Sequence, residues 1–238
     1  MKKFVVTGGS GFVASWVIAE FLTHHYEVAA SLRSLNKAAA IKQGLQRLVP
    51  AEDLAHLSFF EADLTKLTGW QQGLAGADGV FHVAWPLGHG TESTEELVCV
   101  AKAGVQNVFA AAAAAGVKRI VMTSSQAAST PASTALGTFD ESFWTDPKNP
   151  ELDPYRVSKV LAEQAAWDIA KQEQLQLTTI LPGAIFGPVL TTNLSSNGIL
   201  LQLLNGLPAI PKVPLEVSDV RDLARLHRLA FENEQAIG

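Results

Sequence analysis

A chain of 238 residues with 47% hydrophobic and 17% charged side chains can bury a sizeable core, which excludes a disordered polymer and suits one large domain. Eighteen basic against twenty-three acidic residues leave a net charge of −5 and no basic face for a nucleic acid, so no nucleic-acid partner is expected. Cys99 is the single cysteine, so no disulfide can form within the chain and a reducing, cytoplasmic setting is expected.

The opening "MKKFVVTGGSGF" lacks the long apolar stretch and cleavage site of a signal peptide. No run approaches the roughly 20 apolar residues that span a bilayer, so no membrane partner is expected. "KFVVTG" is a strand pattern, followed by a helix pattern from Gly11 to His25. "EVAASL" is the next strand, with a helix through "NKAAAIKQGLQRLV". "LSFFEADL" and "GVFHVAW" follow, then a long helix from about Thr94 to Ala115 whose alanine block packs closely on the sheet, then "RIVMTSS". A helix around "DPYRVSKVLAEQAAWDIAKQE" leads into "LQLTTILPG". Six or seven two-sided apolar strands alternating with helices predict an α/β fold, a doubly wound parallel sheet covered on both faces. After Gly183 the pattern loosens: residues 183–215 are rich in turn residues and prolines, and predict an irregular excursion that serves as a small substrate lobe. "SDVRDLARLHRLAFEN" predicts a returning helix capped by Ser218 or Asp219. The expected division is a nucleotide-binding domain over 1–182, rejoined by 216–238, with 183–215 outside it.

"VVTGGSGFVAS" joins the first strand to the first helix, and Gly8, Gly11 and Ala14 fit a G-x-x-G-x-x-A spacing. Glycines there let the backbone approach a pyrophosphate, whose charge meets the amide end of the helix at Phe12 and Val13. An NAD site carries an acidic residue about 20 positions beyond the glycines. From Val28 to Ala51 there is none, and the stretch holds Arg33, Lys37, Lys42 and Arg47. A guanidinium can grip a 2′-phosphate with two hydrogen bonds, so the cofactor expected is NADPH, with Arg33 as main contact and Lys37 in support. Lys42 and Arg47 read as a solvated helix face. Asp63 and Leu64 follow the third strand, where an adenine could rest; Asp63 reads equally as a helix N-cap. Val83 and Ala84 are small residues at the end of the fourth strand that leave room for ribose or nicotinamide. His82 reads as a packed core histidine. No metal site is read.

Tyr155 and Lys159 stand at i and i+4 and share a helix face. The preceding strand, with Thr123, ends in Ser124 and Ser125 at the carboxyl edge of the sheet, where open α/β sheets bind ligands. A free tyrosine titrates near pH 10. A cation about 4 Å away is worth roughly 4 kcal/mol at an effective dielectric of about 20, or about three pKa units before desolvation is subtracted. Lys159, together with the positive nicotinamide of the oxidised cofactor, is therefore expected to bring the Tyr155 pKa toward neutrality, and a serine hydroxyl to orient a substrate carbonyl.

"TGGSGFVAS", "MTSSQAAS" and "PYRVSK", in that order, resemble the extended short-chain dehydrogenase/reductases, and "FHVAWP", "FDESFWTD" and "SKVLAEQAAWDIA" resemble the dihydroflavonol-4-reductase and cinnamoyl-CoA-reductase branch with its microbial aldehyde and ketone reductase relatives. The resemblance implies a Rossmann-type fold and a catalytic group of Ser125, Tyr155 and Lys159, with Ser125 preferred over Ser124 because it adjoins "QAA". It also implies that Lys159 binds the nicotinamide ribose, and that Pro182, Gly183 and Ile185 of "LPGAIFGP" lie beside the nicotinamide. Two departures stand out. Relatives carry an asparagine early in the long helix, and around Ala101 there is none. Relatives also continue beyond "RLAFENEQAIG", so either the substrate lobe is incomplete or the pocket is unusually open. The expected function is NADPH-dependent reduction of a small apolar aldehyde or ketone, with Trp85, Pro86, Gln126 and the 183–215 excursion on the substrate side. Trp85 could equally pack beneath the loop. A nucleotide-sugar epimerase or dehydratase with bound NAD, and a non-catalytic NADP-binding protein, are the alternatives.

Overall fold

In the computed structural model, which describes residues 1–86, 92–206 and 215–238, β1 (Lys3–Val6), β2 (Glu27–Leu32), β3 (Leu57–Glu61), β4 (Gly79–His82), β5 (Arg119–Thr123) and β6 (Gln176–Ile180) form one parallel sheet. Every residue of β4 and β5 is buried, as strands covered on both faces must be. The strand order is β3-β2-β1-β4-β5-β6, with Val5 beside Ala29 on one side and Val80 on the other. The order reverses between β1 and β4, which opens a crevice at the carboxyl ends of those strands.

The intervening helices are α1 (Phe12–Thr23), α2 (Ala38–Leu45), the short α3 (Ala51–Leu54) and α4 (Trp70–Leu74), α5 (Thr94–Ala114) and α6 (Pro154–Gln172). The period-2 alternation of the strands sorts two cores. Phe4, Val6, Val28, Ala30 and Leu32 point to the α1 side, and Val5, Ala29, Val80, Ile120 and Met122 to the α5 and α6 side. Phe4 centres an aromatic cluster, edge-on to Phe21, Tyr26, Phe81 and Phe231 at centroid distances of 4.9, 5.0, 5.6 and 4.7 Å. The alanine block is partly confirmed as a packing surface: Ala111 and Ala112 are buried, whereas Ala110 and Ala114 face outward.

Two expectations are corrected. By length and composition alone α5 could cross a bilayer, with 21 residues and a mean hydropathy of 1.5. Here it is a flank of the sheet that packs on α6, begun by a Ser93–Glu96 capping box. The 183–215 stretch is also less irregular than its turn residues suggest. It holds β7 (Ala184–Phe186) and α7 (Asn197–Leu204), and β7 pairs in parallel with β8 (Val217–Asp219). Three-residue strands carry no readable alternation, which is why the pattern looked irregular. Residues 207–214 of the excursion, Lys212 among them, lie outside the described residues.

The chain then returns as α8 (Val220–Glu232), capped by Asp219, whose carboxylate accepts from the Arg221 amide at 2.8 Å; Ser218 is not the cap. α8 seats on α1, where Arg228 pairs with Glu20 at 2.8 Å. Arg119 of β5 ties the sheet to the same helix by donating to the carbonyl oxygens of Gln176, at 2.9 Å, and Ala230.

Candidate active site

The turn between β1 and α1 exists because its glycines have no side chain. Gly8 adopts φ +71°, and a Cβ on it would lie 2.9 Å from the Ala84 Cβ. A Cβ on Gly9, which the spacing argument passed over, would lie 2.8 Å from the Ala30 Cβ. The loop is pinned from β2: Ser31, which stands where an NAD site would carry its acid, accepts from the Gly8 amide at 2.9 Å through its hydroxyl. Gly11 is the N-cap of α1 and brings no side chain to the free amides of the first turn. Such an end, cleared of side chains, fits a diphosphate. Phe12 is 3% exposed, so it offers its amide rather than its ring; Val13 is partly buried.

Beyond β2, Arg33 and Lys37 are both exposed. The Arg33 charge helps to hold the Asp63 carboxyl below its ordinary pKa, behind the larger effect of two hydrogen bonds from Thr65. Asp63 is therefore no α-helix N-cap: it opens a turn in which Thr65 donates to it from both its amide and its hydroxyl at 2.8 Å. Leu64, partly buried, presents its carbonyl to Asn107 Nδ2 at 2.7 Å. The long helix thus has an asparagine, farther along than Ala101, and it is committed to that carbonyl.

The end of β4 is shaped by Thr7. Its hydroxyl oxygen accepts from the Val83 and Ala84 amides at 3.0 and 2.9 Å, which leaves its proton for His82 Nδ1 at 3.1 Å. His82 is buried and neutral, pushed down to about 3 by burial and by the Lys159 charge. Trp85 follows with its indole N–H buried and, among the described residues, without a hydrogen-bond partner. Pro86 is the last residue before 87–91, which lie outside the described residues.

At the end of β5 the two serines part. The Ser124 hydroxyl donates to Glu163 Oε2. The Ser125 hydroxyl accepts from the Ala127 amide at 3.2 Å and stands near enough to the Tyr155 phenol to lower its pKa. Tyr155 stays 38% exposed, open to a ligand. Burial of its phenol raises the pKa, the Ser125 hydroxyl lowers it, and Asp153 raises it further, for a net rise. Lys159 is 3% exposed, and burial pulls it down to about 7 against the opposing charge of Glu163. Its ammonium lies 3.5 Å from the Trp85 ring centroid and 5.9 Å from that of Tyr155, and donates to the carbonyl oxygens of Thr123 and Ser124 at 3.5 and 3.4 Å. The part of the expected Tyr155 pKa lowering assigned to Lys159 by itself is not what this geometry gives: Lys159 is not among the groups that shift the phenol. The ammonium is held by an indole face and two carbonyls. Trp85 also meets Tyr155 edge-on at 6.5 Å, so it belongs to this group of side chains.

Around them, Thr123 turns its hydroxyl to His227 Nε2 of α8 at 2.7 Å, leaving its carbonyl for the crevice. Pro182 is buried and accepts from the Gln126 amide at 3.0 Å. A Cβ on Gly183 would lie 2.6 Å from the Gln126 Oε1, itself buried and without a partner among the described residues. Ile185 packs against the α1-side core. Glu163 and His227 escaped the sequence reading; the i+4 spacing of Glu163 from Lys159 was a usable signal, whereas the His227 contact spans 104 positions.

Residues 4–238 match the model of the NAD-dependent epimerase/dehydratase family. The chain belongs to that family. Within it, the chain is 34% identical over 241 residues to a cinnamoyl-CoA reductase of Medicago truncatula, covering 98% of this chain and 73% of that one. It is likewise 34% identical over 257 residues to an anthocyanidin reductase of Vitis vinifera, covering 100% and 75%. Among solved structures, the yeast methylglyoxal/isovaleraldehyde reductase Gre2 complexed with NADPH superposes with a TM-score of 0.87 at 26% identity, covering 99% of this chain and 76% of that one. The reductase branch of the epimerase/dehydratase family, read first from the motifs, is the one these relatives represent.

Proposed function

We propose that this chain is an NADPH-dependent reductase of small aldehydes or ketones. The observation that carries the reading is the convergence of Ser125, Tyr155, Lys159 and Trp85 at the carboxyl edge of the sheet, beside a glycine turn cleared of side chains. Similarity to reductases, one of them bound to NADPH, supports it. Residues 1–182 and 216–238 form the cofactor domain in this reading, and 183–215 the substrate lobe.

Gly8, Gly9, Gly11 and the first amides of α1 would hold the diphosphate, Arg33 with Lys37 the 2′-phosphate, and Lys159 the nicotinamide ribose. NADPH bound there supplies a hydride to the carbonyl carbon. Tyr155 donates its proton to the carbonyl oxygen, and a phenol whose pKa is raised holds that proton throughout the neutral range. The Ser125 hydroxyl stabilises the phenolate left behind and orients the substrate oxygen. The buried Trp85 indole N–H and Gln126 amide oxygen have no partner among the described residues and would be met by polar groups of whatever binds. The basic stretch after β2, with no acid between Val28 and Ala51, argues against the NAD-retaining epimerase chemistry of other family members.

The test is consumption of NADPH with a panel of small aldehydes and ketones. Turnover with at least one carbonyl at a rate well above that with NADH is expected. Tight NADPH binding with no carbonyl reduced would overturn the reading in favour of a binding protein.

A further inference from the structure

We propose that Glu163 is a positioning residue for Lys159: a buried carboxylate one helical turn along α6 that supplies the ammonium's counter-charge and anchors the serine carbonyl on which the ammonium rests. The inference rests on the reductase reading, which gives Lys159 its ligand.

Glu163 is 2% exposed, a costly place for a carboxylate unless other groups require it. Its oxygens are fully engaged. Ser124 donates to Oε2, the Trp167 indole donates to Oε1 at 3.4 Å, and the Thr179 hydroxyl bonds the carboxylate as well. An indole N–H can only donate, so Oε1 is fixed as an acceptor; burial raises the carboxyl's pKa overall, and these donors oppose that rise. Ser124 is the bridge. Its hydroxyl holds Glu163 while its carbonyl, 3.4 Å away, accepts from Lys159. Moving the carboxylate therefore moves the seat of the ammonium.

The groups facing Lys159 come from every neighbouring element. They are Tyr155 and Glu163 on α6, neutral His82 on β4, the Trp85 ring beyond it, and the Thr123 and Ser124 carbonyls on β5, behind which neutral His227 reaches in from α8. Among these described groups, Glu163 is the one carboxyl; burial raises its pKa, and its hydrogen bonds and the Lys159 charge offset that rise in part. The sign follows. A lysine is charged below its pKa, Lys159 sits at about 7, and Glu163 opposes the downward pull of burial. Without the carboxylate, the ammonium gives up its proton at lower pH.

The readout is NADPH affinity against pH, followed through the fluorescence of the reduced nicotinamide on binding, so no turnover is needed. For the parent protein, affinity is expected to fall as pH rises through about 7, where Lys159 loses its charge. Glu163→Gln, similar in shape and uncharged, is expected to shift that fall about one pH unit lower. Glu163→Asp, charged but shorter, should shift it by less. Trp167→Phe removes a donor and leaves the carboxylate, so its profile should stay with the parent's. A folded Glu163→Gln protein with an unmoved profile overturns the proposal, as does an equal shift in Trp167→Phe. If Glu163→Gln does not fold, an unmoved profile in Glu163→Asp overturns it instead. A parent protein that binds no NADPH at any pH defeats the reductase reading itself, a different result from binding whose pH dependence ignores Glu163.

Discussion

The Tyr155 hydroxyl and the Lys159 ammonium sit on one helix face but answer to different neighbours. The phenol is governed by burial, Ser125 and Asp153, and the ammonium by Trp85, two backbone carbonyls and Glu163. The i, i+4 spacing made the pair legible in the sequence. It could not show where the ammonium rests, because Trp85 and Ser124 reach it from other elements. Choosing between the two serines was legible only through the family motif, and the hydrogen bonds now give it a physical basis: Ser124 is committed to Glu163, whereas Ser125 faces Tyr155. Cofactor choice also belongs to this scale. A charge-assisted hydrogen bond is worth about 1.5–3 kcal/mol. Arg33→Ala is accordingly expected to raise the KM for NADPH roughly tenfold to a hundredfold and to leave the KM for NADH nearly unchanged; equal effects on both would remove Arg33 from the 2′-phosphate.

Strand and helix positions were legible to within a few residues because the central strands β4 and β5 are buried on both faces and the β1–α1 turn carries glycines. β2, at Glu27–Leu32, coincides with its apolar run. The β7–β8 pair was not legible, since two three-residue strands far apart in sequence leave neither length nor alternation to read. The turn from β1 to α1 is the element on which the cofactor reading leans most. Gly8→Ala would place a side chain at positive φ, costing about 1–2 kcal/mol, and would press it against Ala84. Thermal unfolding and NADPH titration of that variant should show a lower Tm together with weakened binding. A variant that binds NADPH as the parent does would mean that the turn does not carry the diphosphate.

For the molecule as a whole, each side of the sheet buries a histidine that must stay uncharged, His82 beside Phe109 of α5 and His227 on α8. Burial lowers His82 to about 3 and His227 to about 4, against about 6.5 for a free histidine. Below pH 6.5 the unfolded chain takes up protons that these residues refuse in the folded state. Their contribution to stability is therefore complete above about pH 6.5 and is lost as pH falls toward about 4. The Tm should drop across that window, and His227→Gln, which cannot titrate, should flatten the slope; a slope unchanged in that variant would place the acid sensitivity elsewhere. The central claim, that a protonated phenol at the carboxyl edge of this sheet completes hydride transfer to a carbonyl, is tested most directly by Tyr155→Phe. The account predicts that NADPH binds this variant as it binds the parent, while turnover of a reducible aldehyde or ketone falls by about a hundredfold or more. Turnover equal to the parent's would contradict it.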